Sequence, residues 1–129
     1  MTFNLRCAII STSLLYSWDM KKVVWNESAR RYVSSLEPKL RREIGALIML
    51  LQKGRALGNP QSKPMKSIHK NAFELRIKGV DAQYRVIYVL AIKDQVIIPH
   101  AFIKKTQKTP KKEIDLSIKR LKGIFNEAK

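Results

Sequence analysis

Cysteine occurs once in this chain, acidic residues are scarce, and no apolar run is long enough to span a bilayer. The lone Cys7 leaves no pair to bridge, so a reducing cytoplasm is the expected setting. The apolar stretch CAIISTSLLY, Cys7 to Tyr16, is too short for a transmembrane helix. A single Arg6 precedes it and no small-x-small cleavage site follows, which argues against a secretory signal. Residues 1–19 read as an N-terminal extension or a mis-called start, peripheral to a domain over residues 20–129. The sequence also lacks H-E-x-x-H, paired cysteines, an acidic triad and a phosphate-binding loop. These absences argue against a metal-dependent nuclease and a nucleotide hydrolase. No internal repeat or low-complexity linker divides the chain.

What is present is positive charge. The chain has 129 residues, 26 Lys plus Arg against 10 Asp plus Glu, a net charge of +16 and a pI near 10.3. That length suits one domain, and 45% hydrophobic residues can supply its core. An excess of this size repels itself in the compact state and points to a polyanionic partner. Residues 1–60 carry 10 basic and 4 acidic residues, whereas residues 61–129 carry 16 and 6, so the later half is the expected contact surface.

The patterning predicts an α+β fold. KKVVW (Lys21–Trp25) is a short β-rich run, after which Asn26 caps a helix with Glu27 in its first turn. Ala29, Tyr32, Val33 and Leu36 keep helical spacing. Pro38 suits the first turn of a second helix, in which Leu40, Ile44, Leu47 and Leu51 form a stripe widened by Ile48. KGRALGNPQSKP supplies stop signals. The period then becomes two. AFELRIK places Phe73, Leu75 and Ile77 on one face and Glu74, Arg76 and Lys78 on the other. QYRVIYVLA and QVIIPHAFIK follow as further strands, with turns at Gly79–Ala82 and Lys93–Asp94. Pro99 requires an edge position or a bulge. From Pro110, the spacing of Ile114, Ile118, Leu121 and Phe125 predicts a last helix. The expectation is one N-terminal strand, a two-helix hairpin, three further antiparallel strands in one sheet and a C-terminal helix, the helices covering the sheet's apolar face.

Five of the nine residues from Lys104 to Lys112 are lysines. Thr109 as N-cap and Pro110 as first helical residue would leave Lys111 and Lys112 opposing the helix dipole. Local stability favours acids there, so the arrangement makes sense if an anion binds where lysines, free N–H groups and dipole converge. Arg76 and Arg85 lie on neighbouring strands and share a face if the register allows. Two guanidiniums aimed at one point would grip a phosphate. The competing reading pairs Arg76 with Glu74 or Asp81 and leaves Arg85 a surface charge. Tyr84, Tyr88 and Phe102 can stack on bases or fill the core, the core reading being stronger for Tyr88. His69, in a loop, and His100, on a strand, are not expected to form a two-histidine ribonuclease site.

FELRIKG, QYRVIY and AFIKKTQKTPKKEI, in that order and preceded by LGNPQSKPMK, resemble the phage-derived HigB-like branch of the RelE/ParE toxin superfamily, from about Lys21 to the C-terminus. The resemblance implies a RelE-like fold and the toxin of a type II toxin–antitoxin pair. Such a toxin cleaves mRNA on the ribosome without a metal or cofactor, by attack of the ribose 2′-OH on the adjacent phosphate. It implies Arg76, Arg85, Lys104 and Lys105 as catalytic cations. Tyr84, Phe102, Thr106, Gln107, Lys108, Lys111 and Lys112 are the RNA-binding candidates. Lys111–Lys112 stand where RelE has a catalytic tyrosine, so the general base stays open among Lys104, Lys105, Tyr84 and His100. The implied partners are a helix-turn-helix (HigA-like) antitoxin and ribosome-bound mRNA, with no membrane and a cytoplasmic location. A ParE-like DNA gyrase poison and a non-catalytic basic RNA-binding module are the alternatives.

Overall fold

The computed structural model describes residues 20–105 and 108–127. In chain order the elements are β1 (Lys22–Trp25), α1 (Glu27–Ser34), α2 (Pro38–Gln52), β2 (Ser62–Pro64), β3 (Ala72–Lys78), β4 (Gln83–Val89), β5 (Gln95–Lys104) and α3 (Lys111–Glu127). The strands form one five-stranded sheet in the order β1-β5-β4-β3-β2. β1 runs parallel to β5, and the other pairings are antiparallel. The mixed α+β class follows the sequence reading. β2 adds a fifth strand to the expected four, since the stop signals of KGRALGNPQSKP predict a loop over Ser62–Pro64. Three residues containing a proline show no period, but the Ser62 hydroxyl meets the Tyr88 hydroxyl at 2.6 Å and ties this strand to the sheet. Among the described residues, no helix is long and apolar enough to cross a membrane.

Local signals explain the helix ends. Asn26 Oδ1 accepts from the Ala29 amide at 3.1 Å, so the first helix is capped as its sequence dictates. Pro38 opens α2. Gly54, at φ 84°, closes it: its amide donates to the Leu51 carbonyl and the Arg55 amide to that of Leu50. This is the left-handed helix stop that glycine permits.

Helices cover both faces of the sheet, not one. The stripe Leu40, Ile44, Leu47, Ile48 and Leu51 packs on Leu75, Ile77, Val86, Tyr88 and Ile98. On the opposite face, Ile114, Ile118, Leu121 and Phe125 of α3 pack with Ala72, Ile87, Val89, Ile97 and Phe102. Pro99 lies in an interior strand, and the pairing accommodates it by a bulge: Ile87 faces His100 while Val89 faces Ile97. The extra residue puts His100, Phe102 and Lys104 on the same face as Ile97. The bulge therefore decides which side of the sheet receives the last lysine of β5.

Candidate nucleic-acid interface

The register left open by the sequence brings the two arginines together. Arg76 and Arg85 are direct cross-strand partners, and Arg85 is in turn the partner of Phe102. Lys104 pairs with Gln83, and Gln83 with Lys78, on the same face. An open cleft of about 660 Å³ results, lined by Arg76, Asp81, Ala82, Gln83, Arg85, Lys104 and Lys105. A smaller recess lies beside it, formed by Pro60, Gln61, Ile77 and Lys78 and sharing Arg76, Gln83 and Arg85. All four cations named as catalytic candidates thus line one concavity.

The turn that sets this register is tight. The Gly79 amide donates to the Ala82 carbonyl at 2.8 Å, and a side chain at residue 79 would meet the Tyr84 ring at 2.8 Å. Alternation then carries Arg76 and Arg85 to the cleft side.

Arg85 is not a surface charge. It is 3% exposed, with one terminal nitrogen donating to the Tyr84 carbonyl and the other to Gln83 Oε1. Its Nε lies 3.3 Å from Glu74 Oε1 without hydrogen-bond geometry. Burial lowers the Arg85 pKa, Glu74 opposes the shift and Arg76 adds to it. The competing reading placed Glu74 against Arg76. Instead Glu74 takes the diagonal neighbour, and Arg76 makes no ion pair among the described residues. Lys104 is 8% exposed, and its pKa is lowered chiefly by burial. Glu74 opposes that shift, while Arg85, Arg76 and Lys63 reinforce it.

The helix mouth differs in detail from expectation. Helix α3 starts at Lys111, and the Pro110 carbonyl accepts from the Glu113 and Ile114 amides. The Thr109 hydroxyl donates to Glu74 Oε2 at 2.6 Å. The helix therefore begins one residue later than expected, and the Thr109 hydroxyl donates its hydrogen to a buried carboxylate, a charge-assisted bond. Lys108, Lys111 and Lys112 are exposed and stand outside the residues lining the cleft. Thr106 and Gln107 lie outside the described residues.

Neither aromatic candidate is among the residues lining the cleft. Phe102 shares the cleft face but is 5% exposed and stacks on His100, with ring centroids 5.1 Å apart. Tyr84 sits on the opposite face, packed against the core of the helical hairpin. Tyr88 is a core residue stacked on Phe73.

The histidines do not meet. His69 lies against Phe125 and accepts from the Asn71 amide. His100 is buried, with Nε2 at 2.9 Å from Glu113 Oε1 and Nδ1 at 2.9 Å from an Arg120 nitrogen. The guanidinium can only donate, so Nδ1 accepts and Nε2–H donates to Glu113. Both ring nitrogens are engaged, which removes His100 as a general base. Burial lowers its pKa, the bond to Glu113 works against that shift, and Arg120 adds to it.

Sequence reasoning missed two site residues. Lys63 pairs with Glu74 across β2 and β3, so it joins the charged face from a segment read as a loop. Glu74 appeared only as a competitor for Arg76. Its place in the FELR alternation, on the side of Arg76, was the available signal. Among the described residues, no group of three or more His, Cys, Asp or Glu could hold a metal ion.

No curated protein matches the chain. The model of the phage-derived protein Gp49-like family (DUF891) matches residues 31–122, a span that takes in β2 to β5, both arginines, Lys104 and Lys105, and most of α3. The chain belongs to that phage-derived family.

Proposed function

We propose that this chain is the toxin of a type II toxin–antitoxin pair and acts as a ribosome-dependent, metal-independent mRNA endoribonuclease. One observation carries the reading. Arg76 and Arg85 are register partners at the floor of an open cleft that Lys104 and Lys105 also line. Such a set suits 2′-OH attack on a phosphodiester, because negative charge builds on the crowded phosphorane and preorganised cations stabilise it there. Arg76, which makes no ion pair among the described residues, contacts the non-bridging oxygens. Arg85 is held rigid beside it. The element order and the phage-derived family support a RelE-like toxin.

Lys104 is the proton-transfer group in this scheme. Burial and the neighbouring cations depress its pKa, which brings a lysine toward the range where it exchanges protons. Lys105 is exposed and serves as a phosphate contact. A helix-turn-helix antitoxin presenting acids to this cleft would neutralise both charge and activity, and the net charge of +16 would speed that encounter.

The test is induced expression followed by mapping of mRNA 5′ ends. Cuts at codon-fixed positions that require ribosomes and vanish in Arg85→Ala support the reading. DNA damage signalling with intact mRNA would move the chain to the gyrase-poison class. A second reading, a non-catalytic RNA-binding module, draws on the fact that neither His100 nor Tyr84 reaches the cleft. Salt-dependent RNA binding with no cleavage on ribosomes would favour it.

A further inference from the structure

We infer that Glu74 is a positioning residue: its buried carboxylate holds the Arg85 guanidinium on one side and, through Thr109, the segment entering α3 on the other. The inference deepens the proposed function and rests on it for its catalytic consequence.

A carboxylate buried behind the arginine of an anion site needs a reason, because it repels the ligand. Glu74 is 1% exposed and is the only buried acid among the described residues. It is also the junction of the site. Oε1 faces Arg85 Nε at 3.3 Å, and Oε2 accepts the Thr109 hydroxyl at 2.6 Å. Lys63 is its cross-strand partner on β2, and Lys104 feels its charge from β5.

Two jobs follow. Arg85, Arg76 and Lys104 repel one another in a poorly solvated place, and one negative charge among them offsets that repulsion. Arg85 Nε is fully buried with no hydrogen-bond acceptor, so the charge of Glu74 is what faces it. The Thr109 bond then fixes where the lysine-rich segment and the mouth of α3 stand relative to that guanidinium. Removing the charge should therefore have opposite effects on binding and on chemistry. Binding of a phosphodiester strand gains from a more positive cleft. Cleavage loses, because a small misplacement of a catalytic group is costly.

The experiment compares the full-length wild type with Glu74→Gln, which is isosteric and keeps an acceptor for Thr109. Three quantities are read. The first is the side-chain Nε–Hε NMR signal of Arg85, assigned by its loss in Arg85→Lys. The second is the affinity for a 2′-O-methyl RNA oligonucleotide, which cannot be cut. The third is cleavage of mRNA on ribosomes. We expect the Arg85 signal to shift and exchange faster with solvent, affinity to stay equal or tighten, and kcat to fall by roughly 10- to 100-fold without a rise in KM. A purely structural role would weaken binding and cleavage together. A folded Glu74→Gln protein with an unmoved Arg85 signal overturns the inference, as does one that cleaves at the wild-type rate. If the wild type itself does not cut mRNA, the proposed function fails, and the signal and affinity alone decide the role of Glu74. Should Glu74→Gln not fold, Thr109→Val and Thr109→Ser decide: slowed cleavage in the valine variant with recovery in the serine variant supports the link, and wild-type cleavage in both sinks it.

Discussion

The two faces of this sheet are built from the same strands and meet opposite fates. On one, Leu75, Ile77, Val86 and Tyr88 lie under the α1–α2 hairpin as an apolar core. On the other, α3 covers only part of the surface, packing on Ala72, Ile87, Val89 and Ile97. Beyond it the same strands bury Glu74, Arg85 and Lys104. A single alternating pattern thus specifies a stabilising face and a charged one. The division of labour follows from where the covering helix begins, not from a separate domain or loop insertion. Stability and function should therefore separate along β3 beyond Ala72: Phe73, Leu75 and Ile77 hold the fold, and Glu74 and Arg76 hold the site.

Four experiments break or sharpen that contrast. Leu75→Ala should have the largest effect on stability, about 2–5 kcal/mol, since Leu75 is fully buried. Denaturant unfolding measures the loss, and the salt dependence of RNA binding should not change. Arg76→Ala should show the reverse. Removal of one preorganised donor costs about 10²–10³-fold in rate, whereas stability should move by less than ~0.5 kcal/mol. A stability loss as large as that of Leu75→Ala would erase the contrast.

His100 tests the boundary between the two regimes, where α3 meets the charged end. Burial holds its pKa below the ordinary 6.5, so the unfolded chain takes up a proton that the folded chain resists. The stability due to neutral His100 is complete above pH 6.5 and declines as the pH falls below it toward the folded pKa. His100→Gln should flatten this part of the stability–pH curve. The smallest effect is expected at Lys112, an exposed cation in the first turn of α3. Lys112→Ala should raise stability by about 0.3–1 kcal/mol by relieving the opposition to the helix dipole, and weaken RNA binding. A fall in stability would show that Lys112 is placed for packing.

Much of this was legible in the sequence, and the gaps have physical causes. Period-two runs placed Arg76 and Arg85 on polar faces, but a one-residue slip would have separated them. Only the folded Gly79–Ala82 turn fixes the pairing. Pro99 announced a bulge or an edge, and the alternatives separate only once β1 is seen to pair alongside β5. Phe102 was ambiguous because strand alternation gives a face, not its cover; α3 and His100 supply the cover. Thr109 carried a strong helix-cap signal, but nothing local announced that its hydroxyl donates to a carboxylate 35 residues away. Long-range partners of this kind leave no mark in local spacing. The three-residue β2 left none either.

The parallel pairing of Lys22–Trp25 with Gln95–Ile98 has a consequence for how the protein is made. The first strand has no local mate, and the strand it waits for also delivers Lys104 and the segment leading to Thr109. Pairings between chain segments so far apart form late. During synthesis the β3–β4 hairpin can display its two arginines early, but without the last strand they face neither Lys104 nor the helix mouth. The nascent chain therefore carries an unfinished cleft until β5 has left the ribosome.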